Sequence, residues 1–315
     1  MLRHPVLVLP FLFLLLIASI LVTTCIGVSG LLLWNFDTEM LQKLLFEVRL
    51  PRVLGAMLVG LGLAAAGCAM QGLFRNPMAD PYIIGTASGG ALGAAFAIVL
   101  LGGLFLPALA FLGATLSTIG VYMISLRNGR VTGETLLLSG IAVSFFLSAL
   151  LSFFMYISGN SLHQIMFWMM GGFWDVYWDK VLLGLLIPAA CMVLFVFSRD
   201  LNVMTLGEEE AIHLGVNTEK TKRILLLTSS FITGIAVAIA GGIGFIGLII
   251  PHVMRIIVGP DHRVLLPASM MVGAALLMWA DTAARTLPVE IPVGIITAFF
   301  GAPFFIYLLR GRTRV

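Results

Sequence analysis

The chain has 315 residues, 60% of them hydrophobic and 10% charged, with 18 lysines and arginines against 15 acids. A soluble domain carries about 25% charged residues, so this composition excludes a soluble globular protein and leaves one large helical bundle in a membrane. The three cysteines, Cys25, Cys68 and Cys191, lie inside apolar runs with neither metal spacing nor a disulfide framework, and read as small buried hydrophobes.

Residues 6–33 are an unbroken apolar run of 28, longer than a signal-peptide core, and are expected to form a first span. Residues 34–52 are mixed and are expected at a water interface. Residues 53–73, rich in Gly and Ala, form a second span whose small residues let neighbours approach closely; Pro77 and Pro81 end it. From Pro81 to Leu126 there is no charge over 46 residues, enough for two spans, with Gly102, Gly103 and Pro107 marking the turn. Residues 127–133 are a short basic loop, and 135–157 a fifth span. Residues 158–180 carry Trp168, Trp174, Tyr177 and Trp178, the composition of an interfacial belt. Residues 181–198 are the sixth span.

The segment 199–223 differs from its surroundings, with nine charged residues in 25. Thr205 and Glu208 stand at capping-box spacing, which predicts a helix from about Leu206. Gly215 stops it and Asn217 caps the next helix. A helix over 206–214 is too short to be stable alone in water. It needs a surface, so the segment reads as a docking element for a partner protein; a solvated loop between spans is the plain alternative.

Ile224 to Met254 are again uncharged. These 31 residues exceed one span and fall short of two. With Gly241, Gly242, Gly244 and Gly247 they predict a turn at membrane depth or a short second helix, backbone that a membrane tolerates only inside protein. Residues 255–267 are a polar loop. Residues 268–287 and 293–309 are the last spans, followed by Arg310, Arg312 and Arg314. The reading is a single transmembrane domain over 1–315, all-α, with ten transmembrane helices and a re-entrant Gly-rich segment. Thirteen of the 18 basic residues then fall on the side of the termini. The positive-inside rule places both termini and 199–223 in the cytoplasm of a multi-pass protein of the cell membrane. A faint repeat, Arg49…Ala66-Gly67…Pro77 against Arg223…Ala240-Gly241…Pro251, recurs at an offset of 174 with the two copies running in opposite directions in the ten-span reading, as inverted repeats do.

The chemistry is sparse. No G-x-x-x-x-G-K-[ST] loop occurs, so the chain is not itself an ATP-hydrolysing enzyme. The histidines, His4, His163, His213, His252 and His262, have no ligand spacing, and no metal or other cofactor is implied for this chain. Asp281 is the one ionisable candidate within the spans, expected as an interfacial cap near an outer helix end; such charge-poor spans disfavour an ion-coupled carrier. Arg49, Arg52 and Arg285 fall at outer helix ends. They read either as snorkelling anchors or as a basic patch for acidic groups on an outer partner. A stand-alone secondary carrier, distinguished by ATP independence, and a non-transporting scaffold are the rivals. Nothing points to nucleic acid.

Four stretches carry a resemblance: RLPRVLGAMLVGLGLAAAGCAMQGLFRNPMADPYIIGTASGG (49–90), FWMMGGF (167–173), AGGIGFIGLIIPHVMRIIVGPDHRVLLP (240–267) and ADTAARTLPVEIPVGIITAFFGAPFFIYLLR (280–310). Together they resemble the permease subunits of binding-protein-dependent ABC importers for iron–siderophore complexes, haem and vitamin B12, of the FecCD type. The resemblance implies a homodimer in lipid with two cytoplasmic ATPase subunits, which hold the ATP and Mg, and an outer substrate-binding protein. It implies ATPase coupling through Glu208, Glu209, Glu210, Ala211, His213, Leu214 and Gly215. It implies binding-protein docking on Arg49, Arg52 and Arg285, and a cytoplasmic gate at Tyr82, Ile83, Ile84, Thr132 and Thr135. The GEEEA sequence is more acidic than the family pattern. An oxyanion such as molybdate remains an alternative cargo.

Overall fold

The computed structural model describes residues 5–27, 30–31, 39–126 and 131–312. Arg3, Arg127, Arg130 and Arg314 of the charge count, with residues 28–29 and 32–38, lie outside the described residues.

In chain order, α1 (Pro5–Cys25) gives way to two short antiparallel strands, β1 (Ile26–Gly27) and β2 (Gly30–Leu31), which pair Ile26 with Leu31. The 28-residue apolar run is therefore not one helix. Helix α1 ends at Cys25, Ile26–Gly27 pair with Gly30–Leu31, and two arginines take the last carbonyls of α1. The short α2 (Glu39–Lys43) passes through a π-helical turn (Leu44–Arg49) into α3 (Leu50–Leu73). A 3₁₀ turn (Pro81–Ile84) leads to α4 (Thr86–Leu101), α5 (Leu106–Ser125) and α6 (Gly133–Ile157), then a 3₁₀ turn (Gly159–Ser161) and α7 (Leu162–Met169). Helices α8 (Trp178–Gly184) and α9 (Leu186–Val196) are nearly continuous. They break at Leu185, where the ring of Pro188 would meet the Gly184 carbonyl four residues back. The remainder is α10 (Ser198–Met204), α11 (Glu208–His213), α12 (Thr218–Ala240), α13 (Ile246–Val258), α14 (His262–Thr286) and α15 (Val293–Arg312).

Among the described residues, seven stretches are long and apolar enough to cross a membrane: 8–25, 44–73, 106–125, 133–157, 178–196, 218–240 and 262–286. Three shorter apolar helices cover 86–101, 246–258 and 293–306. The chain is an all-α, multi-pass membrane protein.

The core forms around α3. Its span is 83% buried, against 17% for α6 at the periphery. Helices α14, α12, α13 and α9 pack around it. In lipid the hydrophobic effect does not press helices together, so close approach through small residues does. A Cβ on Gly60 would lie 2.4 Å from the Gly273 carbonyl oxygen of α14, and one on Gly67 only 1.9 Å from that of Gly247 in α13. Ala64, Ala65, Ala66 and Ala69 are fully buried beside them.

Two expectations change. The repeat does not hold locally: Gly67 lies inside α3 and Pro77 in a loop, whereas Gly241 (φ 67°) terminates α12 and Pro251 lies inside α13. The 206–214 helix is shorter. Thr205 does not cap it, because its hydroxyl donates to the Asn202 carbonyl (2.6 Å), and Gly207 (φ 151°) takes the cap position of a six-residue α11. The downstream signals do act. Gly215 has φ 83°, and Asn217 Oδ1 accepts the Lys220 N–H at 3.1 Å to cap α12. Between α12 and α13 the chain leaves helix over residues 241–245.

Candidate functional site

The polar groups collect at the two ends of the bundle. One end gathers the segment after α3, the start of α6, α10–α11, the start of α12 and the α13–α14 corner. These are tied by Lys222 Nζ to the Val131 carbonyl (3.2 Å), Arg223 Nε to the Tyr122 hydroxyl (3.1 Å) and Asn202 Nδ2 to Asp261 Oδ1 (2.6 Å). The other end gathers the end of α1, the start of α3 and the end of α14.

At the first end, Ala211 is the one buried residue of α11; Glu208, Glu209, Glu210 and His213 are exposed, as are Leu214 and Gly215 after it. Leu206, Ile212 and Leu214 are 57–67% exposed. The segment thus presents a ridge of three leucine and isoleucine side chains beside three glutamates, anchored below by Ala211. Sequence reasoning missed Lys222. Its Nζ donates to Glu208 of α11, to Glu219 Oε1 (3.2 Å) and to the Val131 carbonyl, joining α11, α12 and the approach to α6.

The expected gate residues fall in two neighbouring segments. Tyr82, Ile83 and Ile84 form the 3₁₀ turn, which Asp80 caps by accepting the Tyr82 N–H at 2.8 Å. Removal of the Asp80 carboxyl from water raises it to about 6, against the lowering effect of that hydrogen bond. The Tyr82 hydroxyl donates to the Ile243 carbonyl at 3.2 Å, which ties this turn to the helix break at 241–245. Gly85 (φ 82°) closes the turn, and its carbonyl accepts the Ser117 hydroxyl of α5 at 2.8 Å. Helix α6 crosses at Gly140, where a Cβ would lie 2.3 Å from the Ile83 carbonyl oxygen. Thr132 and Thr135 form a reciprocal capping box at the start of α6. The two segments share one apolar cluster through Ile84, Val131 and Leu136.

At the second end the three arginines lie below the surface. Arg49 is 7% and Arg285 5% exposed, and the Arg52 side chain 11%. Arg49 Nη1 donates to the Cys25 carbonyl (3.2 Å) and Arg285 Nη2 to the Thr23 carbonyl. Both therefore cap the C-terminus of α1, where positive charge suits the helix dipole. Arg52 grips both oxygens of Asp281, at 2.7 and 3.0 Å, and Glu290 Oε1 at 2.6 Å. Asp281 is fully buried. It is not an interfacial cap, because Arg52 and, at 3.9 Å, Arg285 supply the charge that lets it leave water. Neither snorkelling nor an open basic patch describes this cluster; Glu290 is its outermost member, with a side chain 38% exposed.

Helices of this length and apolarity, wrapped on a glycine-lined axial helix with ordered polar clusters at both ends, define a multi-pass membrane protein. The chain belongs to the FecCD transport family, which it matches over residues 9–311. It is 48% identical to the cobalamin import system permease protein BtuC of Halobacterium salinarum over 278 residues, covering 87% of this chain and 75% of that protein. It is 41% identical to the hemin transport system permease protein HmuU of Yersinia pestis over 324 residues, covering 97% and 96%. A solved structure reported as an inward-facing conformation of a metal-chelate type ABC transporter superposes with a TM-score of 0.89 at 37% identity, covering 96% of this chain and 99% of that one. A second, PsaBC from Streptococcus pneumoniae, has a TM-score of 0.60 at 17% identity and shares the fold.

Proposed function

We propose that this chain is the permease subunit of a binding-protein-dependent ABC importer for a metal chelate, with cobalamin or haem the foremost candidates. The observation that carries this reading is similarity along nearly the whole chain to permeases named for cobalamin and hemin. Two copies form the membrane part, two cytoplasmic ATPase subunits bind ATP and Mg, and an outer substrate-binding protein delivers the chelate. The seven long apolar helices and the three shorter ones together make ten membrane crossings. In this topology α12 runs outward, residues 241–245 fold back at membrane depth, and α13 completes the return. Both termini and α10–α11 face the cytoplasm.

In this reading the exposed ridge of α11, Leu206 to Gly215, seats in the ATPase. ATP-driven closure moves α11, and the turn at Tyr82–Ile84 with the Thr132–Thr135 cap gates the cytoplasmic side. The homodimer buries exposed faces of α6 and α15, where Phe145 and Phe299 are 74% and 71% exposed. At the outer end, acids of the binding protein take the place of Glu290 on the rim of the arginine cluster.

The test is uptake into vesicles containing this chain with its ATPase, a binding protein outside and ATP inside or absent. ATP- and binding-protein-dependent accumulation of cobalamin or haem is expected. Accumulation without ATP overturns the reading in favour of a stand-alone carrier, and transport of an oxyanion alone overturns the substrate class.

A further inference from the structure

Asn202, Asp261 and His262 form a joint whose hydrogen-bond polarity is fully determined. The Asp261 carboxylate accepts from the Arg263 N–H (3.0 Å) and from Asn202 Nδ2 (2.6 Å). Only the Asn202 amide nitrogen donates, so Oδ1 faces the other way, where it accepts the His262 backbone N–H at 2.8 Å. His262 Nδ1 lies 2.8 Å from the same oxygen. A carbonyl oxygen cannot donate, so Nδ1 carries the hydrogen and Nε2 is bare. Among the described residues Nε2 is buried without a hydrogen-bond partner, pressed on the axial helix where a Cβ on Gly72 would lie 2.7 Å from it. A second ring proton would have no acceptor there, which fixes the ring in one neutral tautomer. His262 is 2% exposed. One amide thus bolts α10 to the first residue of α14 and, through the ring, to the end of α3. Helix α14 then runs 25 residues, about 37 Å, and carries Asp281 and Arg285 in its last two turns.

We infer that Asn202 and His262 are positioning residues for energy coupling: they convert displacement of α10–α11 into movement of α14 against α3. Helix α11 itself is attached through the 205–207 turn, the Lys222 contact and Ala211, whereas Asn202 grips the rod that reaches the outer arginine cluster. The inference rests on the importer reading above. It adds that hydrolysis and transport come apart when this joint is loosened while the ATPase stays bound.

The experiment measures ATP hydrolysed per cobalamin or haem accumulated in vesicles of the assembled importer, with retention of the ATPase checked by co-purification. Asn202→Leu, close in size but without an amide, is expected to raise that ratio at least about fivefold, the low end of ordinary coupling free energies. His262→Asn keeps a donor at the Nδ1 position and is expected to stay near the wild-type ratio; His262→Gln, which moves the amide to the Nε2 position, is expected to behave like Asn202→Leu. Gly72→Ala drives a methyl into Nε2 and is expected to uncouple, and His262→Asn, by removing the distal ring atoms, is expected to restore coupling to it. That suppression decides the matter if Asn202→Leu fails to assemble. A wild-type ratio in Asn202→Leu, or in Gly72→Ala, with the ATPase retained overturns the inference and leaves the importer reading intact. Loss of ATP-dependent uptake in the wild type overturns both. A merely structural joint would lower assembly without changing the ratio.

Discussion

Asp281 shows how a single buried group sets the behaviour of its neighbours. Alone it would be expelled from the membrane interior; gripped by Arg52 and close to Arg285 it becomes the anion that lets two arginines be buried. Asp281→Ala is expected to cost about 3–5 kcal/mol, because it leaves cations without a counter-charge. Thermal unfolding in detergent measures this, and adding Arg52→Met should recover part of the loss. Asp80 titrates in an accessible range. Its folded carboxyl sits near 6 against an ordinary 3.8, so the folded state holds the proton more tightly. Its contribution to stability therefore falls as pH rises from about 4 to about 6 and is level above that. Asp80→Asn retains an acceptor for Tyr82 but does not titrate. The midpoint difference between variant and wild type should widen in the variant's favour from pH 4.5 to pH 7; a constant difference would refute the assignment.

At the scale of elements, α3 owes its central place to glycines that let backbone touch backbone. Gly67→Ala is expected to destabilise by about 3 kcal/mol or more, since the methyl meets a carbonyl in the facing helix rather than a flexible side chain. Gly120→Ala in α5, where no described residue lies within 4 Å of the added methyl, is the control: it should be neutral or stabilising by up to about 1 kcal/mol. Equal effects in a denaturation series would remove the close-packing argument. Helix α11 depends on Gly215, whose φ of 83° proline cannot adopt. Gly215→Pro should leave membrane insertion intact while abolishing uptake faster than ATP hydrolysis; unchanged uptake would count against α11 as the coupling element. The proline and glycine boundaries and the Asn217 cap were legible because each acts within a few residues. The capping box at Thr205 was not. Its hydroxyl had a nearer acceptor at Asn202, and only the course of α10 reveals this.

For the whole molecule, the two polar ends face different partners in the proposed importer. The arginine cluster bears on how docking should be tested. Arg52→Glu would set a carboxylate against Asp281 and disturb the fold, so Glu290→Gln is the informative change. If the binding protein's acids take the place of Glu290, this variant should raise docking affinity about two- to fivefold at low salt. The gain should vanish as ionic strength screens the pair. Affinity unchanged by the variant at every salt concentration, measured on immobilised permease, would move the docking site away from this rim.

The sequence by itself determined the membrane class, the order of apolar segments, the breaks at glycine and proline and the family resemblance. Each of these is local or additive along the chain. Only the tertiary structure decided which polar groups meet: Arg52 with Asp281 across 229 positions, Asn202 with His262 across 60, Lys222 with Val131 across 91. The physical reason is that a charge or amide withdrawn from water must find its partner wherever the packing of glycine-faced helices brings one, and no spacing in the sequence records that distance.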